Sequence, residues 1–480
     1  MAVRDAETED VPLFAASKKV YPQSVTGPYR RAKWMILALC LGIYYLLPFL
    51  RWDRGPNLPN QAVLADLANA RFYFFFIELW PQEVYYFTGL LILASFVLFL
   101  MNAVAGRIWC GYLCPQTVWT DLFLTVERFF EGDRRERIKR DEGPWDADKI
   151  WRKSAKHTVW LLIAWWTGGA WVLYFADAPT LVRQLASFEA PVTAYAFIAI
   201  LTFTTYTLAG IMREQVCTYM CPWPRIQAAL TDDEALNVTY RYDRGDPRAS
   251  LRQAERLRKQ GEPAGDCVDC RQCVVVCPTG IDIRNGAQLD CIQCGLCIDA
   301  CDNVMDKIGR PKGLIGYDTE DNVKRRIAGE KPVYRPLRLR TMTYAALILL
   351  VGGAMVWQLA TRRTLELSVL HERAPLFVRL SDGSIRNAYT IRILNKRPHE
   401  RPFALTVEGL PGLRIETVGV TATADLRPIV TVDPDSSREV RVLVTLPADG
   451  HPQKSQTITF TAADLFAGET VTAQDHFIAP

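Results

Sequence analysis

Cys267-Val268-Asp269-Cys270-Arg271-Gln272-Cys273-Val274-Val275-Val276-Cys277-Pro278 spells C-x2-C-x2-C-x3-C-P, and Cys291, Cys294, Cys297 and Cys301 repeat the spacing without the proline. A tight C-x2-C-x2-C loop wraps three irons of one cubane, and the fourth cysteine of each run reaches across to the other cluster. The spacing therefore assigns Cys267, Cys270, Cys273 and Cys301 to one [4Fe–4S] cluster. Cys291, Cys294, Cys297 and Cys277 go to a second. Paired structural zinc sites seldom use eight cysteines in this pattern. Gly280 and Gly295 are expected to give the backbone room beside the inorganic sulfides.

The segment resembles the two-cluster ferredoxin module of bacteria. The chain has 13 cysteines; four more form two matched pairs, and none follows Cys301. Such clustering reads as ligands in a reducing compartment, not as a disulfide framework. Cys40, alone in an apolar run, reads as a small buried residue. The net charge of +4 is small for 480 residues, and no part of the sequence joins clustered basic residues to a nucleic-acid-binding motif, so nucleic acid is not expected as a partner.

Working outward, very apolar blocks alternate with polar ones. The run from Trp34 to Leu50 and stretches at about 86–105, 158–176, 192–211 and 341–359 are long enough to cross a bilayer and are rimmed by Trp or Tyr. The first is read as an uncleaved span behind a polar leader, 1–33. Basic residues concentrate in 128–156 and 212–340, while 51–85 and 177–191 carry few. The positive-inside rule then puts the N-terminus, 106–157 and 212–340 in the cytoplasm. Five spans leave the C-terminal segment outside. Phe72–Tyr86, with Glu78 and Glu83 among aromatics, is expected to be an outer-face amphipathic helix in preference to a quinone or cation site.

Cys110-Gly-Tyr-Leu-Cys114-Pro115 follows the second expected span, and Cys217-Thr-Tyr-Met-Cys221-Pro222 follows the fourth. The match suggests a repeat of two helical hairpins. If each motif is helical, its two sulfurs share a face, and the proline suits the first turn of a new helix. A helix N-terminus and a nearby arginine (Arg107, Arg213) favour thiolates at Cys114 and Cys221. Such thiolates bind a soft metal such as Cu(I) or cycle through a disulfide. Met212, Met220 and His157 read as packing or interfacial residues. Whether the four cysteines meet does not follow from spacing.

Residues 362–480 hold short alternating runs separated by Gly, Pro, Asp and Asn, the pattern of an immunoglobulin-like β-sandwich. His371, His399, His451 and His476 are scattered there without a catalytic pattern, so a recognition or assembly role is expected.

The architecture expected is thus a multi-domain membrane protein. A cytoplasmic tail (1–33) leads into a membrane domain (34–211), then a cytoplasmic segment (212–340) with the ferredoxin module at about 260–310. A fifth span (341–361) and a periplasmic immunoglobulin-like β-sandwich (362–480) follow. On these features the chain resembles the CcoG/FixG/RdxA family, accessory proteins of cbb3-type cytochrome c oxidase. The resemblance implies a protein of the bacterial inner membrane that reduces Cu(II) to Cu(I) for the oxidase. The cubanes pass electrons from a cytoplasmic donor, and Cys110, Cys114, Cys217 and Cys221 handle the copper. Its implied partners are copper ions, the oxidase or its copper-assembly factors, and the lipid bilayer, with homo-oligomerisation left open. Two alternatives stand beside this: a quinone-linked electron conduit, to which the membrane part is also similar, and a redox-sensing scaffold for oxidase assembly.

Overall fold

The computed structural model describes residues 19–55, 58–362, 364–397, 399–419, 428–448, 450 and 453–480. The chain forms two compact units, one of residues up to Trp52 with Gln61–Met355, the other of Asp53–Asn60 with Val356–Pro480. Most of the polar leader and His451 lie outside the described residues.

Among the described residues, four helices are long and apolar enough to cross a membrane: Pro28–Phe49, Pro81–Ala105, Val192–Met212 and Leu339–Ala360. These carry four of the five expected spans. The remaining one, 158–176, falls on helix Ala147–Val172, whose first half is charged and which bears Trp151, Trp160, Trp165, Trp166 and Trp171. Tryptophan suits the interface better than the hydrocarbon core, so this helix falls short of the others in hydropathy. It lies along Val192–Thr205 at van der Waals distance: a Cβ on Gly168 would sit 2.9 Å from the Ile198 carbonyl oxygen. The first helix begins at Pro28, so Arg30, Arg31 and Lys33 belong to it and not to a tail. Proline suits that first turn, because its missing N–H would have had no helical partner.

The amphipathic helix expected over Phe72–Tyr86 is not formed. Val63–Asp66, Arg71–Phe74 and Ile77–Leu79 make a three-stranded antiparallel sheet, and Pro81–Glu83 is a single 3-10 turn before the next helix. Aromatic and β-branched residues favour the pleated surface, and Pro81 prevents a helix from running through. Glu78 pairs with Arg71 at 3.0 Å, and the Glu83 carboxylate accepts the Trp80 N–H at 3.2 Å. Both acids therefore have structural partners.

The second unit confirms the sandwich. One antiparallel sheet has the order Arg414–Thr417, Ser436–Leu446, Ile385–Asn395, Leu365–His371; the other runs Ile429–Val432, Arg401–Glu408, Ser455–Asp464, Thr470–Ile478. Strand alternation sends Tyr389, Ile391, Phe403, Val442, Val444, Phe460 and Phe477 into one core. Asn387 is fully buried there and satisfies both ends of its amide: it donates to the Ile478 carbonyl and accepts the Ile478 N–H, each at 2.9 Å. His371 and His476, distant in sequence, share a surface groove with Asp475, so these two are less scattered than the sequence suggested.

Candidate functional site

The two cysteine loops have the same backbone. Asp269 and Arg271 flank Cys270 with φ of 52° and 56°; Gln293 and Gly295 flank Cys294 with 55° and 73°. Left-handed residues on either side of the middle cysteine curl each loop into a bowl. Helices Gln272–Val275 and Leu296–Lys307 follow the bowls, and strands Asn237–Tyr240 and Ile315–Asp318 back them.

Each bowl closes over a cavity. One, with about 330 Å³ of atom-free space partly open to solvent, is lined by Cys267, Cys270, Cys273 and Cys301, with Met305 and Leu314 as apolar walls. The other, about 350 Å³, is lined by Cys277, Cys291, Cys294 and Cys297, with Val238, Ile281 and Ile292. Each run's fourth cysteine thus lies at the cavity of the other run. Cys273 borders both cavities, so they adjoin. Burial pushes the bare thiols of Cys273, Cys291 and Cys301 up to about 12; cationic iron is the partner that would hold these buried groups as thiolates. Four soft donors around each apolar cavity fit a [4Fe–4S] cubane.

The two glycines also serve the packing of the chain. A Cβ on Gly295 would strike the Tyr29 ring at 2.9 Å, and one on Gly280 would meet Val20 at 3.0 Å. Both make room for the chain at and before the first apolar helix. Asp299, on helix Leu296–Lys307, completes this junction. Its carboxylate accepts the backbone N–H of Tyr29 at 3.2 Å and of Arg30 at 2.7 Å, capping the first apolar helix from the ferredoxin side. Arg30 in turn donates to both Asp121 oxygens at 2.8 and 2.9 Å, reaching the helix that follows Cys114. Asp299→Ala should cost about 0.5–2 kcal/mol, the range for loss of a helix cap. Thermal unfolding of the cluster-loaded protein in detergent reads it; an unchanged midpoint would remove Asp299 from the junction.

The first C-x3-C-P motif packs on the second cluster's loop. Cys110 lies on the short helix Ile108–Tyr112, and Cys114 is the N-cap of Pro115–Glu131, as the proline implied. A Cβ on Gly111 would sit 2.8 Å from the Ile292 carbonyl oxygen and 3.0 Å from the Cys294 Cα, so backbone meets backbone. The Tyr112 hydroxyl donates to the Cys294 carbonyl at 3.0 Å. The Arg107 guanidinium donates to the carbonyls of Leu289 and, at 2.9 Å, Pro224. It thereby ties the second cluster's loop to the helix after Cys221.

The second motif is built differently. Cys217 lies on a π-helical turn, Val216–Met220, and Cys221 precedes the short helix Trp223–Leu230. The true counterpart of Arg213 is Gly106: each stands four residues before its motif, with φ/ψ of 45°/−114° and 54°/−126°. Arg213 lines a cavity with Pro278, Thr279 and Ile292 of the ferredoxin segment, but its ion pair is made to the membrane-side helix. It donates to Glu127 at 2.8 Å, where Lys156 and Arg137 also converge. Burial works to raise the Glu127 carboxyl, yet Arg213, Lys156 and Arg137 together hold it at about 2.

The two motifs meet. The Cys110 Sγ donates to Gln227 Oε1 at 3.3 Å, on the helix after Cys221. Reciprocally, Cys217 lines a cavity with Gln116 and Thr117, on the helix after Cys114. That cavity shares Pro278, Thr279 and Ile292 with the second cluster cavity. Burial, and then the neighbouring cysteines, push Cys110 and Cys217 up to about 12. Without a cation these two therefore stay thiols. His157 bonds Tyr206 at 2.8 Å and Met220 is exposed, which agrees with the structural reading of both. Gln227, Asp121, Lys33 and Glu127 had no motif to announce them; only their burial singles them out.

Adjoining four-cysteine cavities on a chain with several apolar helices define a membrane-bound iron–sulfur protein of electron transfer. The comparisons agree. A 4Fe-4S dicluster domain family matches residues 212–320, a 4Fe-4S binding domain family matches 86–131, and the family described as the IG-like fold at the C-terminal of FixG matches 355–480. The chain is 47% identical to the nitrogen fixation protein FixG of Rhizobium meliloti, over 99% of this chain and 96% of that protein. It is 51% identical to RdxA of Cereibacter sphaeroides, covering 92% of each, and 48% identical to RdxB of the same organism, covering 97% of each. The chain belongs to the CcoG/FixG/RdxA family.

Proposed function

We propose that the protein is a one-electron reductase of the bacterial inner membrane that converts Cu(II) to Cu(I) for assembly of a cbb3-type oxidase. The observation that supports it is the backbone contact of Gly111, inside the first C-x3-C-P motif, with Ile292 and Cys294. Clusters bound by Cys267, Cys270, Cys273 and Cys301, and by Cys291, Cys294, Cys297 and Cys277, supply one-electron storage. The electron enters from a low-potential cytoplasmic donor and leaves through the site of Cys110, Cys114, Cys217 and Cys221. One electron per copper balances the reaction: reduced donor plus Cu(II) gives oxidised donor plus Cu(I). Gly111 and Tyr112 hold the exit site against the second cluster loop, and Arg107 locks the two together. The basic segments 128–156 and 324–340 support a cytoplasmic ferredoxin module. With Ala147–Val172 as a fifth span, the sandwich is then periplasmic and free to engage the oxidase or its copper-assembly factors.

The test is anaerobic. The protein in detergent is reduced, freed of excess reductant and mixed with Cu(II) and a Cu(I)-specific chelator, beside a soluble two-cluster ferredoxin. Cu(I) forming in step with cluster reoxidation, and faster than in the control, is the expected result. A rate equal to the control would remove copper as the substrate and shift attention to quinone analogues.

A further inference from the structure

We infer that Cys110, Cys114, Cys217 and Cys221 are the ligands of a third [4Fe–4S] cluster, which extends the relay of the ferredoxin module to the membrane helices. The inference rests on the reading of this site as the electron exit and names what occupies it.

The segment 86–131 matches a 4Fe-4S binding family, yet it contains two cysteines, Cys110 and Cys114. A cubane is held by four. The other two are supplied by the repeat of the same motif, and the fold brings the copies together reciprocally. Cys110 touches Gln227, on the helix after Cys221, while Cys217 faces Gln116 and Thr117, on the helix after Cys114. Gly106 and Arg213 turn the chain alike at equivalent positions. Two like hairpin ends thus present C-x3-C to a common centre. The mutual electrostatic influence of all four thiols agrees with that proximity.

The nature of the bound group follows from spread and charge. Among the described residues no three thiol, imidazole or carboxyl groups converge tightly enough to hold a single ion, and this is as true of the ferredoxin cysteines as of these four. Cubane ligands sit at separate corners and need no such convergence. A multiply charged centre that holds several thiolates at once suits four cysteines presented by two hairpin ends. The position suits a relay, because Cys110 packs with Cys294 and Cys297 in one apolar cluster. Cys221 is exposed at the end of its hairpin, which leaves an oxidant such as Cu(II) access to the electron there. One electron then passes from the second cubane to the third and on to Cu(II), giving Cu(I).

The experiment counts clusters in the full-length chain, purified anaerobically in detergent and reconstituted with iron and sulfide. About 12 irons and 12 sulfides per chain are expected, four of each per cubane. The double variant Cys110→Ala/Cys217→Ala should retain about 8 of each, with the ferredoxin EPR signals kept. A misfolded double variant would lose all its iron, so Mössbauer areas of the unaltered protein and the single variant Cys221→Ser are read alongside. Cys221→Ser should change the spectrum of one cluster in three. A full ferredoxin complement with only about 8 irons in the unaltered protein overturns the third cluster. If X-ray absorption then finds copper bound by sulfur at these cysteines, the copper reading survives alone. About 12 irons without Cu(II) reduction would do the reverse, keeping the cluster and removing the cupric reductase.

Discussion

Cys114→Ser should lower Cu(II) reduction at least about 100-fold, since it replaces a direct ligand where even the supporting shell of a metal site is worth 10–100-fold. Serine keeps the size of the side chain and can still cap Pro115–Glu131, so the helix should survive. What is lost is the soft, polarisable donor. The ferredoxin loops take none of their eight ligands from this motif, so the EPR of their clusters should persist. Cys221→Ser should behave alike. It follows the exposed end of the second motif, where substitution disturbs packing least. Stopped-flow mixing of the reduced variant with Cu(II) and a chelator measures both. Undiminished rates in both variants would remove the four cysteines as the exit. Loss of the ferredoxin signals would instead recast these residues as structural.

Gly106→Ala should destabilise the ferredoxin–membrane junction by about 3 kcal/mol, combining backbone strain of about 1–3 with overpacking of similar size. Gly106 turns the chain with φ 54° and ψ −126°, a region that a Cβ strongly disfavours. The added carbon would also lie 2.4 Å from Asn237 Oδ1, 2.6 Å from Gln293 Oε1 and 2.9 Å from the Leu236 carbonyl oxygen. Gln293 is part of the second cluster loop and accepts the Arg107 N–H at 2.7 Å. Displacing it loosens the bowl around Cys294. The expected result is a lower thermal midpoint and faster loss of one cluster's signal under mild chelation, the other lagging. Equal lability of both clusters would mean that Gly106 serves the hairpin alone. The counterpart turn at Arg213 carries a side chain and depends on the Glu127 ion pair to hold it, which is why the repeat tolerates a residue other than glycine there.

Much of the site was legible in the sequence because its chemistry is local. Three cysteines of one loop line each cavity, and loop spacing is a property of the chain itself. The same holds for the sandwich, where alternation along Ile385–Asn395 and Ser436–Leu446 directly encodes which face is inward. The proline after Cys114 marked a helix start for the same reason. Misreadings came where composition was ambiguous between periods. Phe72–Tyr86 looked amphipathic, yet strand pairing of Arg71–Phe74 with Ile77–Leu79 gave its polar backbone partners that an isolated surface helix would have supplied internally. Gly280 and Gly295 were rightly singled out, but their neighbours, Val20 and Tyr29, are more than 250 positions away in sequence and left no local trace.

By itself the sequence determined the iron–sulfur character of the ferredoxin module, the apolar helices, the matched C-x3-C-P motifs and the β-sandwich, since spacing, hydropathy and alternation act over a few residues. Only the tertiary structure decided that both motifs converge, that the motif of Cys110 lies on the second cluster's loop and not the first's, and that Asp299, Arg107 and Gly106 hold that contact. Those relations rest on hydrogen bonds and close backbone approach between segments that only folding brings together.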